Sequence, residues 1–253
     1  MKKKLKKVLN FIQSIDKGIL LIGLAIIVAL VILIVLFANA TKLSESDKKV
    51  INDASDKYMN YMNLVEESTH DDNGKYINYA IVYINNEEEK TNITVTEVIN
   101  VLDKIFDIQL TEEEISKIGI TEDMFNSGVV YEPTVKEFSI NNTKTNQDIQ
   151  ATELKKYIIS KISKKGKNKF VVTYDKYKIN DPYRILNYYH DFDVTFDTEP
   201  IKKYLQGKAN VKTILNYVND TNISKVGEKV SKLKVTYIFK DGNLKIDSFK
   251  TTK

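Results

Sequence analysis

Each of the chain's two histidines stands beside carboxylates, in His70-Asp71-Asp72 and in His190-Asp191-Phe192-Asp193. An imidazole flanked by carboxylates is a ligand set for a divalent metal. The sequence gives no reason for the two histidines to meet, and a solvated or ordinarily hydrogen-bonded His is the better account of each. The DDNG stretch after His70 does not make a calcium loop. With Gly74 on the obligatory glycine, Thr69 falls on the first ligand position and Ala80 where a bidentate Glu belongs.

Acidic pairs occur at Glu87–Glu89, Glu112–Glu114 and Asp191/Asp193. Hydrolysis by two carboxyls requires them at a fixed separation across a cleft, whereas runs such as EEE ordinarily form solvated faces. Ser46/Lys49 and Ser231/Lys234 have the Ser-x-x-Lys spacing of penicillin-recognising enzymes. Ser231 opens a strand-like run, however, and the Ser-Asp-Asn and Lys-Thr-Gly partners are missing. There is no G-x-S-x-G, P-loop, H-E-x-x-H or Gly-rich nucleotide turn. Four Asn-x-Ser/Thr triplets begin at Asn92, Asn141, Asn219 and Asn222 and fit chance in an Asn-rich chain. No residue is therefore assigned to catalysis, cofactor binding or metal ligation, and no cofactor is expected. One cluster suits recognition. Tyr183, Tyr188 and Tyr189 surround Arg184, with Tyr174 and Tyr177 just upstream. Tyr and Arg offer large contact area and directed donors, and Arg184 is the only guanidinium available for a bidentate carboxylate contact. Arg184, Tyr183, Tyr188 and Tyr189 are the candidate binding surface. The competing reading places these tyrosines at good strand positions.

The composition narrows the setting. Thirty-seven of 38 basic residues are Lys, Asn and Ile abound, and Cys and Trp are absent, as in an AT-rich bacterial genome. Without Cys there is no disulfide, thiolate nucleophile or thiolate metal site. Of the net charge of +4, residues 1–17 hold +5, so the remaining chain is at −1. A nucleic-acid-binding face needs a sustained cationic field, so no nucleic acid partner is expected.

From Ile19 to Ala38 no residue is charged. Twenty residues of helix span about 30 Å, the hydrocarbon thickness of a bilayer. Six lysines precede this run and only Lys42 follows closely, which places the N-terminus in the cytoplasm. The expected organisation is a basic cytoplasmic tail (1–18), a transmembrane helix (19–40) and an extracytoplasmic domain (41–253), with a weak sub-boundary near 131–134. Ala38-Asn39-Ala40 also fits a signal-peptidase site, so secretion after cleavage following Ala40 is the alternative. Residues 2–12 could lie on an anionic inner leaflet, but setting the topology is the better account of their lysines.

The outer part reads as α+β, with helices packed on a mostly antiparallel sheet. Ser44 with Asp47 makes a capping-box-like start to a helix over 44–67. YINYAIVYIN (76–85) reads as a strand. Val95, Val98, Ile99, Leu102, Ile105 and Phe106 form an amphipathic stripe. Thr111 and Glu114 form a capping box, and residues 121–125 a helical turn. Val135, Phe138 and Ile140 mark a strand, 151–164 a helix, and KKGKNK a turn. KFVVTYDKYKI and the stretch at 190–197 read as strands, with short helical pieces at EPIKKYL and VKTILNYV. The clearest signal is KLKVTYIFKDGNLKIDSFK, two alternating runs around Asp241-Gly242. Phe249 falls out of phase with Leu244 and Ile246, which predicts a bulge near Asp247.

The closing hairpin YIFKDGNLKIDSF, together with helices preceding strands, resembles the cystatin-like, nuclear-transport-factor-like α+β group. The layout of tail, span and outer domain is similar to that of bitopic assembly subunits of bacterial conjugation and type IV secretion machines. The resemblance implies a curved antiparallel sheet around helices and a non-catalytic binding or assembly role in the cell envelope. The expected partners are the lipid bilayer and another envelope protein. Two other functions stay open: an anchored hydrolase using carboxylates, and a sensor binding a small ligand in the sheet's concavity.

Overall fold

A computed structural model describes residues 17–70, 72–126, 128–140, 153–180 and 227–252. The first helix, α1, runs Lys17–Thr41, 25 residues. Apart from Thr41, its described side chains lie between Ile22 and Ile34, about 20 Å of helix. Among the described residues no helix is both long and apolar enough to cross a membrane.

α2 (Glu45–Tyr58) follows after residues 42–44. Ser44 is its N-cap: Ser44 Oγ accepts from the Asp47 N–H and the Asp47 carboxylate accepts from the Ser44 N–H, as the spacing predicts. A 3-10 turn (Met59–Tyr61) and a single helical turn, α3 (Asn63–Glu66), complete the segment expected to be helical over 44–67.

α4 is Gly74–Glu88, a helix where the sequence predicts a strand over 76–85. Ile77, Asn78, Tyr79, Ala80, Ile81, Tyr83, Ile84 and Asn86 are all buried, so buried residues lie on every side of the helix. A helix enclosed on all sides has no amphipathic period to reveal it, and its Tyr and Ile content then mimics a strand. Tyr79 and Tyr83, one turn apart, stack at 6.1 Å and meet Tyr58 and Tyr61 edge-on.

β1 (Asn92–Thr94) leads into α5 (Val95–Phe106), whose capping box pairs Thr94 with Glu97. α6 (Glu112–Ile118) opens on the expected Thr111–Glu114 box, and α7 (Glu122–Asn126) follows. β2 (Val129–Glu132) and β3 (Glu137–Ile140) join β1 in a three-stranded antiparallel sheet of order β1-β3-β2. Residues 131–134 fall in β2 and its turn, and Val135 is exposed in that turn while Phe138 and Ile140 are buried.

The larger sheet is an antiparallel meander of β4 (Glu153–Lys164), β5 (Lys169–Asn180), β6 (Glu228–Lys240) and β7 (Asn243–Thr252). β4 replaces the helix predicted over 151–164. In its register Ile159 faces Tyr174 and Lys161 faces Thr173, so Ser160 is a bulge, and its hydroxyl donates to the Thr173 carbonyl. The bulge shifts the pleat by one residue. Tyr157, Ile159 and Ile162, which pack on the core, therefore come at spacings of two and three, which imitate a helix.

Across the β6–β7 turn, Asp241 (φ 51°) and Gly242 (φ 79°) adopt the left-handed backbone of a two-residue hairpin loop. Thr236 pairs with Ser248 and Tyr237 with Ile246, so Asp247 is the predicted bulge and Phe249 is returned to the core side. One core joins the helices to both sheets. From the large sheet it takes Phe170, Val172, Tyr174, Leu233, Val235 and Tyr237.

Candidate functional site

The residues singled out for recognition, Arg184, Tyr183, Tyr188 and Tyr189, lie outside the described residues, as do His190, Asp191, Asp193 and the pieces at EPIKKYL and VKTILNYV. Tyr174, from the same cluster, is in the core. Its hydroxyl shares hydrogen bonds with Ser55 Oγ (2.6 Å) and with the Tyr237 hydroxyl (2.8 Å). Ser55 also donates to the Ile51 carbonyl, and the Tyr237 hydroxyl lies 3.4 Å from Met59 Sδ. Burial pushes the Tyr174 phenol up to about 12 and raises Tyr237 further. Both stay protonated and serve as structural donors tying α2 to the sheet.

The most chemically loaded cluster lies where α3 ends against the sheet. Along β5, Phe170, Val172, Tyr174 and Lys176 alternate inward and are all buried. Lys176 therefore enters an apolar face, its side chain 7 % exposed, beside Glu66 at 7 %. Its Nζ is 2.6 Å from Glu67 Oε1 and 3.2 Å from Glu66 Oε2. Glu66 also accepts from the Tyr157 hydroxyl at 2.7 Å and from the Thr251 hydroxyl of β7, while Lys155 reaches Glu67 at 2.9 Å. Burial works to raise the Glu67 carboxyl, but hydrogen bonds from Lys176 and Lys155 outweigh it and hold the group below its ordinary value. Burial and the neighbouring Glu66 charge push the Tyr157 phenol far up. Two carboxyls, two lysines and the Tyr157 phenol satisfy one another here, which makes a clamp. The sequence signal was available: a Lys at the fourth inward position of KFVVTYDK.

A second clamp lies on β7. Lys245, its side chain 4 % exposed, meets Asp107 at 2.8 Å and Asp103 at 3.2 Å, and Lys240 adds a 2.7 Å contact to Asp107. Hydrogen bonds from Lys240 and Lys245 hold Asp107 below the usual range.

The other sequence candidates separate. His70 Nδ1 lies 3.0 Å from Asp123 Oδ2, and Ser68 Oγ donates to that same oxygen at 2.6 Å. Ser68 bonds the acid rather than the imidazole, so this is not a nucleophile–base–acid relay. Asp72 accepts from the Gly74 N–H at the start of α4. Among the described residues no three His, Cys, Asp or Glu are placed to hold a metal ion. Ser231 and Lys234 both sit on β6, three residues apart, which directs them to opposite faces. Ser46 Oγ is engaged with Ser44 Oγ. Glu87 accepts from the Tyr61 hydroxyl, Glu88 pairs with Lys90, Glu112 with Lys136 and Glu113 with Lys117, and Glu114 closes its capping box.

An open pocket of about 400 Å³ lies between Tyr76, Phe106, Ile108 and the bulged Ile246–Phe249 stretch of β7. Another of about 420 Å³ lies between Thr41, Leu43 and the Ile162–Lys165 end of β4. Comparison with protein-family models, with curated proteins and with solved structures gave no match to this chain.

Proposed function

We propose that the chain is a single-pass membrane protein whose outer α+β domain is a non-catalytic binding or assembly module of the bacterial cell envelope, contacting another envelope protein. The observation that carries the placement is the surface of α1. Ile22, Ile26, Ile27, Val28, Leu30, Val31, Ile32, Leu33 and Ile34 are each between 50 and 65 % exposed. Consecutive helical residues are about 100° apart, so these side chains point to every side of the helix. Leaving nine large apolar side chains in water forgoes roughly 1.5–3 kcal/mol each, on the order of 10–25 kcal/mol, as much as a whole domain's stability. A lipid surround removes that penalty on all faces at once. The lysine excess before the helix supports an inside N-terminus. The helix runs without a break through Ala38-Asn39-Ala40 to Thr41, which favours retention over cleavage.

The state of the acids supports the non-catalytic reading. A carboxyl acting as general acid near neutral pH is pushed up by its surroundings. Here hydrogen bonds and opposed lysines hold Asp47, Glu67, Glu97, Asp107, Glu112, Glu114 and Asp123 low. The succession of helices and then antiparallel strands is the layout that the cystatin-like resemblance implies, and on that resemblance an assembly role follows.

The test begins with alkaline carbonate extraction and protease treatment of wall-stripped cells. The chain stays with the membrane, and residues beyond 45 are digested from outside. Cross-linking in the native membrane then captures a discrete partner. Release by carbonate, or an outer domain that external protease cannot reach, overturns the placement. Turnover of a wall or peptide substrate abolished by Asp191→Asn or Asp193→Asn overturns the non-catalytic role and installs the anchored hydrolase.

A further inference from the structure

Residues 161–169, KISKKGKNK, hold five lysines and no acid in a domain whose overall charge is near neutral. They form the end of β4, the turn and the first residue of β5, closed by Lys165 N–H to Lys169 O (2.8 Å) and braced by Phe239 N–H to Asn168 O (2.8 Å). This tip stands beside the end of α1, since Thr41 and Leu43 line one pocket with Ile162, Ser163, Lys164 and Lys165. Two of the lysines have internal duties. Lys164 pairs with Asp47 at 2.8 Å and lies over the Phe170 ring, and Lys169 reaches Asp247 at 3.4 Å. Lys165 and Lys167 at the turn, and Lys42 directly after α1, are exposed and have no ion pair among the described residues. Beside Lys167 a second pocket is lined by Val50, Phe170 and Phe239, and Val50 and Phe239 remain 40 % and 39 % exposed. The tip thus joins ammonium groups that have no ion pair among the described residues to exposed apolar side chains, at the place where the chain leaves its apolar helix.

We propose that Lys42, Lys165 and Lys167 form a cationic collar that seats the outer domain on the anionic phospholipid headgroups of the leaflet from which α1 emerges. The proposal rests on the membrane placement given above. A Lys close to an anionic bilayer surface gains about 1 kcal/mol, roughly a fivefold preference, and the attraction dies away within a Debye length of about 8 Å at physiological salt. Only groups held beside the membrane exit can use it, and the pocket shared with Thr41 and Leu43 holds the turn there. The rest of the domain, with its acids and lysines balanced, exerts no comparable pull on a soluble polyanion. Val50 and Phe239 are placed to enter the interface alongside the ammonium groups, as long amphipathic side chains do at membrane surfaces. The collar fixes the domain's tilt and leaves its remaining faces available to a partner.

The experiment uses the full chain in nanodiscs made either of phosphatidylcholine alone or of phosphatidylcholine with phosphatidylglycerol. Accessible amines are acetylated and quantified by peptide mass spectrometry, with the exposed Lys117 of α6 as the reference. Acetylation of Lys42, Lys165 and Lys167 is expected to fall about fivefold in the anionic discs relative to neutral ones. It should return at 1 M salt, where the Debye length is about 3 Å, while Lys117 is unchanged throughout. Equal labelling in the two discs overturns the collar. Equal protection by a soluble glycerol-phosphate polymer in neutral discs also overturns it, because the site then reads free polyanion rather than lipid. A chain that fails to co-purify with either disc sinks the membrane placement itself, whereas a chain that is incorporated but uniformly labelled sinks the collar alone.

Discussion

Replacing Lys176 by Met keeps most of the aliphatic stem and deletes the charge at the centre of the larger clamp. Glu66, 7 % exposed, then keeps the hydroxyls of Tyr157 and Thr251 but loses its ammonium partner at 3.2 Å. Removing one member of a buried ion pair costs about 3–5 kcal/mol, because the other charge stays in a poorly solvating site. The lower end applies, about 3 kcal/mol, since Glu67 is 41 % exposed and retains Lys155 at 2.9 Å. For an outer domain of this size that lowers Tm by about 6–12 °C. The pH dependence has a definite sign. The folded pKa of Glu67 lies below its ordinary 4.5, so its contribution is complete above that value and is lost as pH falls through the folded pKa. The deficit of the variant is therefore largest at neutral pH and shrinks on acidification, as the Glu67 contribution to the parent's stability is lost. Urea titration of the full chain in detergent measures this directly, and because the protein has 15 Tyr and no Trp, tyrosine fluorescence reports the transition. Adding Glu66→Gln to Lys176→Met removes the stranded charge and recovers part of the loss. A variant within about 0.5 kcal/mol of the parent at pH 7, the size of an ordinary surface substitution, refutes the clamp, and so does a deficit that grows on acidification.

Tyr174→Phe interrupts the buried hydroxyl chain, removing the Tyr174 partner of both Ser55 and Tyr237; a loss of about 1–2 kcal/mol is expected in the same titration. Gly74→Ala puts a methyl 2.6 Å from Thr121 Cγ2 and 2.8 Å from Asp72 Oδ1, so α4 must shift against α7, and overpacking of this kind costs about 1–3 kcal/mol, read as a lower urea midpoint at unchanged slope. Arg184→Ala is expected to reduce capture of the partner in native membranes about tenfold or more, the effect of losing a hot-spot Arg, with stability unchanged. Equal capture by the variant removes Arg184 from the binding surface.

Capping boxes, the amphipathic α5, the two-residue turn and the bulge at Asp247 were legible in the sequence because each is fixed by residues within a few positions of one another. Ser44 and Asp47, and Thr111 and Glu114, need no tertiary partner to declare a helix start. The two exchanges of type, α4 for a strand and β4 for a helix, share a cause. Periodicity reports secondary structure only where one face is wet and the ladder is regular. α4 is wrapped on all sides, and the Ser160 bulge resets the alternation of β4 halfway along. Both facts belong to the assembled core, so the local pattern alone cannot supply them.

The charged groups show the same division. A chain with 37 lysines reads as composition bias, and no single Lys looks special in it. Register separates them. Lys176 becomes a clamp because the alternation of β5 turns it inward beneath the acids that end α3, and Lys245 because the helix above β7 offers Asp103 and Asp107. The sequence marks the first of these as a lysine in phase with Phe170, Val172 and Tyr174, but its partners lie over 100 residues upstream. Lysine suits these positions because its flexible stem packs along apolar neighbours while one compact charge serves two acids, a task that does not need Arg's planar fork. An acid pair satisfied in this way is spent on cohesion; on the reading proposed above, function is left to the apolar wall of α1, the lysines of the β4–β5 turn and Arg184. The clamps tie the described helices to the large sheet that carries that turn. Lys176→Met at sub-denaturing temperature separates these roles, because it should lower stability while leaving lipid protection of Lys165 and Lys167 intact.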